Sequence, residues 1–158
     1  MHSLEAPSLM QVRARVRAGH ALLRAMLDDL ELELGQLDLG SVEAPTRNKL
    51  ADAIWKLFLA LDDHLGMEER DLVPHLLEAG GPKAVEHLQK EHYEQRTVLL
   101  AMVHECDATK LTARVVDDAR WLIEALRRDM VREDSELDKV VPGTFLSQDG
   151  FVTDQCSG

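Results

Sequence analysis

From about residue 8 to residue 140, apolar side chains recur every three or four positions in four long segments, and few helix breakers interrupt them. That period places the apolar residues on one face of an α-helix, and no two-residue alternation competes with it. Ser8 after Pro7 is a candidate N-cap for a first helix running to about Gly35. A second starts near Pro45 or Thr46 and stops at Gly80-Gly81-Pro82, a strong C-terminal signal. Pro74 lies inside it and should kink it or begin a looser last turn. The third spans about Lys83 to Glu105, and "CDATKLT" leads to a fourth from about Ala113 to Val140. Four such helices with short connections predict an all-α, antiparallel, up-down-up-down four-helix bundle over residues 1–141, followed by an irregular tail over 142–158.

At 158 residues the chain suits one hydrophobic core. Its 45% apolar and 30% charged residues separate it from disordered segments. A net charge of -11 argues against nucleic acid and anionic membranes, and the arginines of "QVRARVRAGHALLR" are dispersed among apolar residues. The start, "MHSLEAPSLMQ", lacks the pattern of a signal peptide, and no segment has the roughly 18–20 apolar residues of a membrane span, so the expected address is the cytoplasm. Cys106 and Cys156 are too few and too distant for a cysteine zinc site and read as plain thiols.

Each helix breaks its own apolar stripe. The first reads Val12, Val16, His20, Leu23, Leu27, Leu30; the second Ile54, Leu57, Leu61, His64, Glu68, Leu72. The third reads Val85, Leu88, His92, then a polar turn at Gln95 and Arg96 before Leu99 and Met102. The fourth reads Val116, Ala119, Leu122, Leu126, Asp129, Glu133, Leu137, Val140. A lone histidine on the first and third helices thus alternates with a pair spaced i, i+4 on the second and fourth. His20 lies about 16 residues before the first turn and His64 about 16 after it, so at about 1.5 Å rise per residue they reach similar heights. The same count through the later hairpins brings Glu68, His92, Asp129 and Glu133 to that layer, the last two least closely.

Six inward polar groups in one core layer, three of them carboxylates, are costly without a compensating cation. A metal removes that cost. Imidazole with carboxylate suits iron, manganese or zinc, and two half-sites in a bundle core suit a pair of ions bridged by carboxylates. The candidate ligands are His20, His64, Glu68, His92, Asp129 and Glu133. His2, His75, His87 and His104 fall outside the common layer and read as solvated or locally bonded, and Glu69 and Glu91 read as supporting or surface residues.

At these positions the sequence resembles the hemerythrin-like family, also called HHE cation-binding domains, over roughly residues 8 to 141. "LDDHLGMEERDLVPHLLEAG" is similar to that family's second helix, "LQKEHYEQRTVLL" to its third and "VRAGHALLRAMLDDLE" to its first. The resemblance implies His20, His64 and Glu68 from the first hairpin and His92 and Glu133 from the second, with both glutamates bridging two oxo- or hydroxo-bridged non-haem iron ions. Zinc or manganese ranks behind iron. In "ALRRDMVREDSELDKVV", Asp129 stands where the family has histidine, and the usual proline is displaced to Pro142. Leu88 stands where oxygen-carrying members have another ligand histidine.

A carboxylate in place of a neutral imidazole adds negative charge and favours the ferric state, which disfavours reversible oxygen release. The resemblance therefore implies a protein that binds or reacts with dioxygen or hydrogen peroxide, as sensor or scavenger. An iron- or oxygen-responsive module without catalysis and a metal-depleted structural descendant are the alternatives. No residue is assigned as catalytic, and no protein partner is implied.

Overall fold

A computed structural model describes residues 6–37, 44–107 and 113–140. The expected tail at 142–158, together with Cys156 and His2, lies outside the described residues. The elements are α1 (Leu9–Gly35), α2 (Ala44–Met67), a five-residue π-turn (Glu68–Leu72), α3 (Val73–Gly80), α4 (Pro82–Asp107) and α5 (Ala113–Val140). The second bundle helix is thus a composite of α2, the π-turn and α3. It packs between α1 and α4, while α5 closes the bundle against α4 and α1. The expected all-α four-helix bundle is the observed one. Among the described residues, no helix is long and apolar enough to cross a membrane.

Local chemistry explains the ends. Ser8 caps α1 by accepting from the Gln11 backbone N–H, and the Gln11 side chain accepts from the Ser8 N–H. Gly81, at φ 74°, occupies left-handed backbone space where glycine carries no Cβ penalty, and it separates α3 from α4. Pro74 does not end the second helix. A proline ring normally strikes the carbonyl four residues back, here that of Arg70, and donates no hydrogen bond. The chain accommodates it by widening the turn before it, so that the Val73 N–H reaches the Glu68 carbonyl, five residues back. The loosening expected around Pro74 therefore falls on its N-terminal side, at Glu68.

The apolar stripes bury as read. Leu23, Leu27 and Leu30 of α1 meet Ile54, Leu57 and Leu61 of α2, Leu99 and Met102 of α4, and Leu122 and Leu126 of α5, all essentially solvent-free. The core has two parts. The larger gathers these leucines toward the α1–α2 and α4–α5 connections. The smaller joins Val12, Val16, Met67, Leu72 and Leu137 at the other end. His20, His64, Glu68 and His92 lie between them, a buried polar layer within hydrocarbon. The stripe of α5 departs from the expected one at a single step: Met130 is buried, while Asp129 sits at the edge of the stripe with 14% of its side chain exposed.

The arginines dispersed through α1 tie helices together. Arg13 and Arg17 both reach Asp138 on α5, and Arg15 reaches Asp71 in the π-turn at 2.7 Å. His75 bonds through Nε2 to the Pro7 carbonyl at 3.1 Å, and His87 lies 3.2 Å from Glu91. Both match the local roles expected of them.

Leu27→Ala in the larger core should destabilise the protein by about 2–5 kcal/mol, the usual range for an unfilled core cavity. The expected readout is a lower urea midpoint with native helicity retained before the transition.

Candidate metal centre

The polar layer is built around one carboxylate. Glu68, solvent-free at the first position of the π-turn, directs Oε1 toward His64 Nε2 at 3.1 Å and His20 Nε2 at 3.7 Å. Its second oxygen, Oε2, lies 3.2 Å from His92 Nε2. Glu133 enters from α5, with Oε2 3.2 Å from His20 Nε2. Two groups of potential ligand atoms result, His20–His64–Glu68 and Glu68–His92–Glu133, each with its atoms within 4.8 Å of one another. Four helices thus contribute to one cluster, with Glu68 common to both groups.

These atoms are close but do not satisfy one another. His20 Nε2, His64 Nε2, His92 Nε2 and both oxygens of Glu68 are buried, and none has a well-aligned hydrogen-bond partner among the described residues. Unsatisfied buried groups cost roughly 1–3 kcal/mol each, so five would consume much of the ~5–15 kcal/mol net stability of a domain. Lone pairs that converge on shared points instead of on each other suit cations seated between them. The donor set fits that demand: imidazole nitrogens and carboxylate oxygens at the separations metal ligands adopt.

The outer faces of two imidazoles are held. His20 Nδ1 lies 2.9 Å from Asp134 Oδ1, and Arg24 holds the other oxygen of Asp134 at 2.8 Å. His92 Nδ1 lies 3.0 Å from Glu69 Oε1, and Arg96 grips Glu69 through both terminal nitrogens, at 2.6 and 3.2 Å. A carboxylate at Nδ1 fixes the tautomer in which Nδ1 donates and Nε2 presents a lone pair to the cluster. Arg24 and Arg96 hold their carboxylates below the usual range against the upward pull of burial. The two arrangements are copies: histidine with arginine four residues later on α1 and α4, glutamate with an acid immediately after it on the π-turn and α5.

His64 is positioned by a missing side chain. A Cβ on Gly19 would lie 2.2 Å from His64 Nδ1. The imidazole of His64 therefore lies directly over the α1 backbone, with its ring centroid 4.9 Å from that of His20. Only glycine permits this approach.

Of the six expected ligands, His20, His64, Glu68, His92 and Glu133 converge. Asp129 belongs to neither group of three. Its Oδ2 accepts from Gln95 Nε2 at 2.9 Å, and its Oδ1 lies 3.5 Å from Arg132. It nevertheless lines the same small cavity as His20, His64 and Glu133. Glu69 has the supporting place expected of it. Asp134 and Gly19 were not singled out from sequence, and Gln95 was read only as part of the polar turn that interrupts the third stripe. The repeated His-x-x-x-Arg and Glu-acid pairs carry a signal for Asp134; nothing local marks Gly19.

Burial opposes charge on His20, but the carboxylates of Glu133, Glu68 and Asp134 beside its two nitrogens outweigh it and lift its pKa to about 9. His92 is raised for the same reason, with burial outweighed by Glu68 and Glu69. Burial pushes Glu68 up, yet its three histidines hold it well below the ordinary range, whereas burial prevails at Glu133 and raises it. Without metal, protons take the place of cations between these groups.

A bundle whose core layer joins three histidines and two glutamates in overlapping groups of three is a candidate metal-binding bundle. The Hemerythrin HHE cation binding domain family matches residues 12–139, most of the chain. The chain belongs to that family. No curated protein and no solved structure shows a significant match to it.

Gly19→Ala should displace His64 and remove a ligand from the His20–His64–Glu68 group. Elemental analysis should show lost metal while circular dichroism shows an intact bundle. A separate expectation concerns pH. A histidine raised from 6.5 to about 9 in the fold contributes stability that is whole below 6.5 and fades as pH rises through 9. Metal-free protein should lose urea resistance across that window, while affinity for added metal should rise as the imidazoles give up their protons.

Proposed function

We propose that this chain is a non-haem di-iron protein that binds or reacts with dioxygen or hydrogen peroxide, as a sensor or scavenger, in the cytoplasm. The observation that carries the reading is Glu68, whose two oxygens face different histidine sets and so suit a carboxylate bridging two ions. Glu133 supports the same role, reaching His20 on one side while belonging to the group with Glu68 and His92 on the other. The proposed ligands are His20, His64 and Glu68 at one ion and Glu68, His92 and Glu133 at the other. Iron leads over zinc and manganese because the donors mix imidazole and carboxylate and because of the family match; the donor types alone admit all three.

Bound iron would supply one-electron redox chemistry and coordination positions for a small ligand. The protein supplies the rest. Asp134 and Glu69 hold His20 and His92 in the metal-binding tautomer, and the two apolar core segments exclude bulk water on either side. The cavity beside His20, His64 and Glu133 is about 10 Å³, room for about one water-sized molecule, which limits the ligand to that scale.

A second reading, an iron- or oxygen-responsive binding module without catalysis, draws on Asp129. With Asp129 bonded to Gln95, the second group has only His92 as an imidazole, which favours weaker retention of the second ion.

Metal content per chain and the absorption spectrum, on protein purified without added metal, test the reading. Two irons per chain with a near-ultraviolet oxo-to-iron band are expected. Adding hydrogen peroxide should then release dioxygen, two molecules of peroxide giving one of dioxygen and two of water, and His64→Ala should abolish the release. Protein that takes up no iron even as anaerobic ferrous salt would overturn the proposal; two irons without peroxide consumption would favour the binding module.

A further inference from the structure

We propose that the groove between α3, α4 and α5 is the entry site through which divalent cations reach the buried cluster, with Glu133 at its inner end as the first carboxylate to receive them. The inference rests on the cluster being a metal centre and goes further by naming where on the surface the ions are gathered and which side chains gather them.

A cluster set between two hydrocarbon plugs poses a problem of supply. The side chains of His20, Glu68 and His92 are sealed from solvent, and that of His64 is 6% exposed. Glu133 is 12% exposed, the largest share of the five. It also faces two spaces. On one side it lines the small cavity with His20 and His64. On the other it lines an open groove of about 210 Å³, whose wall includes His87 and Glu91 of α4 and Arg132 and Glu136 of α5. A side chain that belongs both to the cluster and to the surface is where an ion arriving from solvent first meets the centre.

Charge distinguishes this groove from others that share wall residues with the small cavity. The groove between α1 and α2, which reaches His64, carries Arg15 and Arg70 against Asp63. The groove between α4 and α5, which reaches Gln95, carries Glu91, Glu94 and Asp129 against Arg128 and Arg132. The groove at Glu133 carries Glu91, Glu133 and Glu136 against Arg132 alone. Arg132 is engaged with Glu91 at 2.6 Å and with Asp129 at 3.5 Å. Glu136 is exposed and has no ion pair among the described residues.

A cleft lined by one sign of charge concentrates ions of the other sign, and carboxylates with imidazole are donors that divalent first-row ions accept. A cation is therefore drawn to Glu136 at the mouth. One helical turn back along α5 it meets Glu133, and behind Glu133 stand Glu68 and His92 of the same group of three. An anion gains nothing on this path.

The test follows Co²⁺ entering metal-free protein by stopped-flow absorption, since its visible spectrum changes as imidazole and carboxylate replace water and no redox step intervenes. Glu136→Gln and Asp63→Asn each remove one exposed carboxylate, the first from this groove and the second from the α1–α2 groove. Glu136→Gln should slow uptake about two- to fivefold at low salt, the weight of one charge acting on a divalent ion a few ångströms away through water. Asp63→Asn should leave the rate unchanged, and Arg132→Gln should raise it. All three variants should bind as many ions at equilibrium as wild type. The differences should fade at about 1 M salt, where charges are screened within roughly 3 Å. Uptake indifferent to Glu136→Gln, slowed equally by Asp63→Asn, or slowed by Arg132→Gln would overturn this assignment and leave the metal centre standing. Wild type that takes up neither Co²⁺ nor anaerobic ferrous iron would overturn both.

Discussion

The interaction on which the rest of the structure depends is the contact of one buried carboxylate, Glu68, with three imidazoles from three different helices. An acid placed between two hydrocarbon plugs is tolerated only if positive charge meets it there, whether carried by protons on His20 and His92 or by metal ions. Those charges reach Glu68 only when α1, the composite second helix and α4 are in register. The costliest residue in the core is therefore also the one that fixes how the helices align, while the surrounding leucines would tolerate several registers. This link between burial cost and alignment connects the fold to its site.

The composite helix shows how sequence chemistry serves that contact. Pro74 cannot follow an ordinary turn, and the π-turn that relieves it begins at Glu68. A wider turn brings consecutive side chains closer in direction, and Glu68 and Glu69 both address one ring, His92, from its two nitrogens. π-Turns often mark functional sites. Here the turn sets the carboxylate that faces the cluster and the one that orients the histidine on the two nitrogens of a single ring. The pairing recurs on α5 with Glu133 and Asp134 about His20, where Asp134 reaches Nδ1 without a π-turn.

The exchange of histidine for aspartate at 129 alters more than charge count. In this fold the side chain turns from the cluster toward Gln95, so the second half-site relies on His92 and carboxylates, and a polar pair replaces what would be an imidazole wall. The cluster becomes poorer in nitrogen.

Periodicity and breakers were enough for the four helices, their antiparallel order and Ser8 as a cap, because a helix announces its buried face through local spacing. Counting residues from the turns was enough to bring His20, His64, Glu68, His92 and Glu133 to one height, because rise per residue is constant. Which of two adjacent residues on α5 points inward was beyond that reasoning. Steps of four then three from Leu126 reach Glu133 through Met130, and steps of three then four reach it through Asp129; both obey the helical period. Only packing against α4, with Gln95 offering Asp129 a donor at the edge and leucines receiving Met130, decided between them. Gly19 was illegible for a similar reason: its importance lies in an imidazole from another helix, and a contact across helices leaves no mark in the spacing of either one.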